Sequence, residues 1–134
     1  MKLFTAAKKR SDCIEVGVVL VDKENTICLA SGFRVADNKE YEGHLMGIRR
    51  GLSYIKNVKP EYLVDDVHCI FSSEDRDWIN LRIREDRYMR NLKKYLHINI
   101  DTKTPLDEDK KYLDFAHKCF ELKTEFILDS YQRQ

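Results

Sequence analysis

Proline and glycine are scarce in this chain, two and five among 134 residues. That scarcity excludes collagen-like, linker-rich and low-complexity architectures, which need those residues in bulk. No apolar run approaches the roughly 20 residues that span a bilayer, and Met1-Lys2-Leu3-Phe4-Thr5 does not open a secretory signal. The expectation is a soluble, intracellular protein with no membrane partner. The four cysteines, Cys13, Cys28, Cys69 and Cys119, are scattered and form no C-x-x-C pair, which argues against zinc and against a disulfide framework. Three of them sit inside apolar runs, where a free thiol behaves as a small hydrophobe. Charge of one sign is lacking too: 24 basic against 23 acidic residues leave +1. A polyanionic partner is neither demanded nor excluded, because distribution decides.

What is present suits one core. Hydrophobic residues make up 43% and charged residues 35%, with no repeat at solenoid periods, so residues 1–134 read as a single domain. Lys2 to Lys8 is a short apolar-centred strand. Ile14 to Asp22 and Thr26 to Ala36 are valine-rich runs joined by a polar turn, the signature of an antiparallel hairpin. The near-continuous apolar stretch Val16 to Val21 predicts burial on both faces.

From Glu40 the period changes. Tyr41, Leu45, Ile48, Leu52 and Ile55 recur every three or four residues, an amphipathic helix with Asn38 as its expected cap. Val64 to Ser73 reads as a strand, and Glu74 and Asp75 open a helix whose apolar side carries Trp78, Ile79 and Ile83. A short helix is expected over Asp86 to Leu96 and a brief strand over His97 to Ile100. A long helix is expected from Leu106 to about Tyr131, burying Tyr112, Phe115, Ala116, Cys119, Phe120 and Phe126. Three strands followed by strand–helix alternation imply a mixed α/β sheet with helices on both faces.

Four segments carry a family resemblance. Gly43-His44-Leu45-Met46-Gly47-Ile48-Arg49-Arg50-Gly51-Leu52 resembles the first-helix segment of type 1 ribonucleases H, written Ala-Glu-Leu-x-Ala followed by Ala-Leu or Gly-Leu. Leu3-Phe4-Thr5 resembles the family's first strand, which continues Asp-Gly-Ser; the run from Phe71 to Asn80 resembles the passage around Thr-Asp-Ser. Leu113-Asp114-Phe115-Ala116 is similar to the terminal helix signature in shortened form. In order and separation these cover almost the whole chain. The resemblance implies a five-stranded mixed sheet, first three strands antiparallel. It also implies cleavage of RNA in RNA–DNA hybrids by two magnesium ions held by four carboxylates, an ion that prefers hard oxygen ligands.

Carried over position by position, that carboxylate set is depleted. The first-strand Asp falls on Ala6, which has no ligand atom, and the helix Glu on His44, a nitrogen donor better suited to zinc than to magnesium. The two remaining carboxylates fall on Glu74 and on Asp114, the latter with its neighbours displaced by one position. Asp12 belongs to the first turn and Glu15 begins the next strand, so neither is expected to replace Ala6. Each residue also has a plainer role: His44 as a half-buried packing residue, Glu74 as a helix-start charge, Asp114 as a solvated charge.

Two basic clusters complete the picture. Lys8, Lys9 and Arg10 follow the first strand, where active relatives carry a Gly-rich turn. Arg82, Arg84, Arg87, Arg90, Lys93 and Lys94 outnumber Glu85 and Asp86 along the middle helices, where some relatives carry a basic projection that grips the hybrid. On neighbouring loops the two would favour phosphate binding with strong salt dependence.

The favoured expectation is a ribonuclease H-like domain with a degenerate metal site and no resident cofactor, binding RNA–DNA hybrid or RNA, or a protein partner. The alternative is an active nuclease with Mg²⁺ or Mn²⁺ on Glu74 and Asp114 and His44 as ligand or base. Oligomeric state is not fixed by the sequence.

Overall fold

The computed structural model describes residues 1–58, 66–121 and 125–127, the last three as backbone. Strands β1 (Lys2–Lys9), β2 (Ile14–Val21) and β3 (Ile27–Val35) form an antiparallel meander. Asp22 organises the β2–β3 turn: its carboxylate accepts from the Glu24 and Thr26 amides at 2.9 Å each, and Asn25 takes the left-handed φ of 64°. Helix α1 (Glu40–Val58) leads to β4 (Asp66–Ile70), parallel to β1 with Phe4 beside Ile70. Helices α2 (Arg76–Glu85) and α3 (Arg87–Leu96) lead to β5 (Asn99–Lys103), parallel to β4. A 3-10 turn at Asp107–Asp109 opens α4 (Lys110–Glu121), and β6 (Glu125–Ile127) pairs antiparallel with β3 at Leu29–Ser31. The sheet order is β5-β4-β1-β2-β3-β6, the expected five strands plus one short addition.

The helices cover opposite faces. Alternation along β1 sends Leu3 and Thr5 toward α1 and Phe4 and Ala6 toward α4, and β2 is buried on both sides from Val16 to Val21, as its apolar run predicts. On α1 the expected stripe of Leu45, Ile48, Leu52 and Ile55 is buried, each such side chain contributing about 1.5–3 kcal/mol. Between them Gly43, Gly47 and Gly51, one turn apart, face the sheet. On the other face α4 lies closer still, its backbone at Ala116 and Cys119 directly over Gly17 and Gly32.

Several expectations are corrected. The last helix stops at Glu121 instead of continuing to about Tyr131, and Phe126 belongs to β6; residues 122–124 and 128–134 lie outside the described residues, as do Pro60 and Val64. Asp37, not Asn38, supplies the side-chain oxygen before α1, accepting from the Asn38 and Lys39 amides. Trp78 is 45% exposed, packed edge-on against Tyr41, while Ile79 and Ile83 are buried as expected. His97 is not in a strand: it ends α3 at a left-handed φ of 55°, and β5 begins two residues later. Asp86 caps α3 through the Met89 amide and pairs with Arg49 of α1, which holds its carboxyl below the usual range despite burial acting the other way. No described helix is long and apolar enough to cross a membrane.

Candidate functional site

Strand order reverses between β1 and β4, since the chain leaves β1 toward β2 on one side and β4 toward β5 on the other. In open α/β sheets the carboxyl ends of strands at such a reversal form the usual ligand crevice. Here that crevice lies beyond Phe4 and Ile70, and carrying their register two residues further sets Ala6 beside Ser72.

On the α1 side of the crevice sits His44, only 1% exposed rather than half-buried as expected. Its Nδ1 and the Thr5 hydroxyl are joined by a 2.9 Å hydrogen bond, and its ring packs on Phe71 at 4.9 Å. Its Nε2 has no hydrogen-bond partner among the described residues. It faces the carboxylate of Glu40, one turn earlier on α1, at 3.8 Å. That separation is long for a hydrogen bond, yet the facing imidazole holds the Glu40 carboxyl below its usual range, with His117 adding to the effect and burial opposing it. Glu40 then lines an open cavity of about 580 Å³ with Ser72, Ser73, Glu74 and Asp75.

The α4 side is different. Ala6 is 3% exposed and faces a small cavity of about 160 Å³ shared with Lys8, Glu15, Gly17 and His117. The register explains the company: Ala6 pairs with Gly17 and Lys8 with Glu15, so all four point to one face. Glu15, expected to stand apart, therefore lies on the face of Ala6, where it also pairs with Arg10 at 2.6 Å. From α4, His117, Phe120 and Glu121 reach this cavity, while Asp114, one turn before His117, is exposed and lines neither cavity.

The expected site residues thus fall into separate places. Glu74 is at the mouth of one cavity, His44 is sealed behind Glu40, Ala6 faces another cavity, and Asp114 is exposed and lines neither. Among the described residues no group of three or more His, Cys, Asp or Glu is placed to hold a metal ion. The donors at the four family positions do not suit paired magnesium ions: one is a methyl group, one a buried imidazole held by Thr5, and two carboxylates alone fall short of the set two such ions need. Sequence reasoning missed Glu40 and His117; the signal for Glu40 was its four-residue spacing from His44.

The basic clusters also separate. Lys8 and Lys9 are exposed at the carboxyl end of β1. Because Lys2 is level with His68 and Asp101, Asn99 lies two residues below Lys2 while Lys9 lies seven above. The two ends are about 30 Å apart at roughly 3.3 Å per residue, so Lys9 and the Lys93–Lys94 end of α3 are not on neighbouring loops, whereas Arg82, paired with Glu42 in the first turn of α1, lies toward the crevice. Of the expected phosphate binders, Arg10 is paired with Glu15 and Arg82 with Glu42 at 2.8 Å. Arg87, Arg90, Lys93 and Lys94 are exposed on α3. The last three, with Arg84, rim a groove of about 600 Å³ at the start of β5.

No family model matches the chain, and no curated protein sequence matches it. Solved structures do. The chain is similar to LC11-RNase H1 in complex with RNA/DNA hybrid, with a TM-score of 0.66 and 12% identity over 90% of this chain and 96% of that one. It is similar to RNase H1 from the halophilic archaeon Halobacterium salinarum NRC-1, with a TM-score of 0.54 and 14% identity over 90% and 96%. It also matches the foamy viral protease-reverse transcriptase in complex with RNA/DNA hybrid, with a TM-score of 0.57 and 12% identity over 91% of this chain and 19% of that one. At these identities the likeness establishes the fold: a ribonuclease H-like mixed sheet with helices on both faces.

Proposed function

We propose that this chain is a ribonuclease H-like domain that binds nucleic acid, RNA–DNA hybrid or RNA, without standard two-metal cleavage. The observation that carries the reading is the state of the crevice. Ala6 offers no ligand atom, and His44 is buried with its Nδ1 bonded to Thr5. Ionised carboxylates left without metal repel a phosphate backbone, so binding is carried instead by exposed cations: Lys8 and Lys9 on the hairpin, and Arg87, Arg90, Lys93 and Lys94 on α3. Arg10 and Arg82 contribute less, because each is already engaged by a carboxylate. The solved structures that hold hybrid on the same fold lend the choice of ligand class its support.

A second reading keeps one favourable observation. Glu40 and Glu74 line the same cavity, and His44 stands behind Glu40, so a reduced site has two carboxylates near one imidazole. The experiment that separates the readings is cleavage of labelled RNA–DNA hybrid with Mg²⁺ or Mn²⁺, alongside binding of the same substrate at two salt concentrations. Salt-sensitive binding without cleavage is expected. Metal-dependent cleavage that disappears in Glu74→Ala would establish the reduced site instead. Neither binding nor cleavage would redirect the search to a protein partner.

A further inference from the structure

The groove between the end of α2, helix α3 and the start of β5 measures about 600 Å³, within the range of about 300–1,000 Å³ typical of pockets for small organic groups. Its floor is aliphatic, formed by the buried side chains of Ile83, Met89 and Ile98. Its rim carries Arg84, Arg90, Lys93 and Lys94, and among the described residues no acidic one lines it. Among the described residues none of these four cations is ion-paired, whereas Arg10, Arg49 and Arg82 each hold a carboxylate. In a chain of net charge +1, this is a local concentration of unneutralised positive charge.

Unpaired cations over an apolar floor suit a ligand that is anionic at one end and apolar at the other. An unstacked nucleotide has both parts. A duplex does not, because stacking seals its base faces and leaves only phosphates outside. Arg90 and Lys94 follow one another along α3 at a rise of about 5.4 Å per turn, a line that a flexible backbone can track. Two of the four are arginines, whose planar guanidinium stacks on aromatic faces and grips phosphate at two points. The crevice at the other end of the sheet, with Glu40, Glu74 and Asp75, repels the same backbone.

We propose that this groove binds single-stranded nucleic acid, with bases against Ile83, Met89 and Ile98 and phosphates on Arg84, Arg90, Lys93 and Lys94. The inference rests on the nucleic-acid reading above and adds the strand state and the place.

The test is fluorescence anisotropy on the full chain, using labelled oligouridine, oligodeoxythymidine, an RNA–DNA hybrid of equal length and oligoglutamate. Two variants accompany it: Lys93→Glu with Lys94→Glu in the groove, and Lys110→Glu with Lys118→Glu on α4. All four substituted side chains are exposed, and circular dichroism checks that both variants fold. Single strands should bind about tenfold more tightly than hybrid, and the groove variant should lose about tenfold through its lost phosphate contacts. The α4 variant should stay within about twofold of wild type for single strands. Hybrid binding as tight as single strands, or a groove variant that binds single strands like wild type, overturns the inference while leaving the nucleic-acid reading intact. Oligoglutamate binding as tightly as the oligonucleotides overturns it in favour of an acidic peptide. Absence of binding to every nucleic acid overturns both.

Discussion

Replacing Gly17 by alanine tests how the sheet is held on its α4 side. A Cβ at Gly17 would stand 1.6 Å from the Ala116 carbonyl oxygen, where ordinary contact begins at 3.4 Å, so α4 must lift by nearly 2 Å. The obstacle is main chain, so no rotamer change relieves it. Lifting α4 weakens its contact with Phe4, Val19 and Ala30, which Ala116 and Cys119 cover. Overpacking costs about 1–3 kcal/mol when side chains can adjust; here the upper end applies, offset by roughly 0.5–1 kcal/mol from the stiffer unfolded chain. A net loss of about 2–2.5 kcal/mol lowers Tm by roughly 7–9 °C in a domain of this size. Gly51→Ala is the control: its Cβ meets the Leu3 side chain at 2.4 Å, which must move, but alanine recovers about 1 kcal/mol of helix propensity. Thermal and urea melts of both variants, with unchanged m-values, supply the comparison. A Gly17→Ala protein that melts with wild type, or a Gly51→Ala protein hurt equally, would show that α4 does not bear on the sheet through its backbone.

Asp109, buried at the start of α4, accepts from the Leu106 amide at 2.9 Å and from the Lys2 ammonium at 3.2 Å; Asp109→Ala should cost about 1–3 kcal/mol in a urea melt, since the Leu106 amide loses its acceptor and Lys2 keeps only Glu108. Burial lowers the Lys2 pKa, but its bonds to Asp109 and Glu108 outweigh that and raise it above its ordinary 10.5. Its contribution is therefore complete below pH 10.5 and fades as pH rises through the folded value, a loss that Asp109→Asn should shrink in alkaline melts. Glu40 runs the other way: held low by His44, it stabilises above its ordinary 4.5 and loses that contribution as pH falls through the folded value, so His44→Gln should move the Glu40 carboxyl resonance titration back up. Arg82→Ala, which removes only a partly exposed pair with Glu42, should leave oligonucleotide affinity within about twofold and stability within about 1 kcal/mol.

Much of the framework was legible because burial writes its own period into a chain. The spacing of Tyr41, Leu45, Ile48, Leu52 and Ile55 gave α1, and the valines of β2 announced a strand covered on both sides. Contact made by missing atoms was not legible: Gly43, Gly47 and Gly51 face the sheet, but counting apolar side chains gives them no weight. The overrun of the last helix has a similar cause. Phe126 continues the spacing of Cys119, so periodicity alone extends the helix, whereas backbone pairing with β3 at Ala30 selects a strand there. At the site, Ala6 and His44 could be located because they interrupt an ordered set of segments. Glu40 could have been read from its four-residue spacing to His44, but His117 could not, since its nearness to Ala6 arises only when α4 closes on β1.

The two-sided burial of β2 also fixes a sequence of events during synthesis. The β1–β2–β3 meander is the first part of the domain to leave the ribosome and closes through short-range contacts, which form quickly. Helix α1 follows at once and shields one face. The opposite face, with Phe4, Val19 and Ala30, waits until Lys110–Glu121 has been made. A nascent chain paused before Lys110 therefore carries a formed but half-covered sheet, the kind of intermediate that chaperones hold and that aggregates when they do not. Slow translation of the stretch between α1 and α4 would lengthen that exposure.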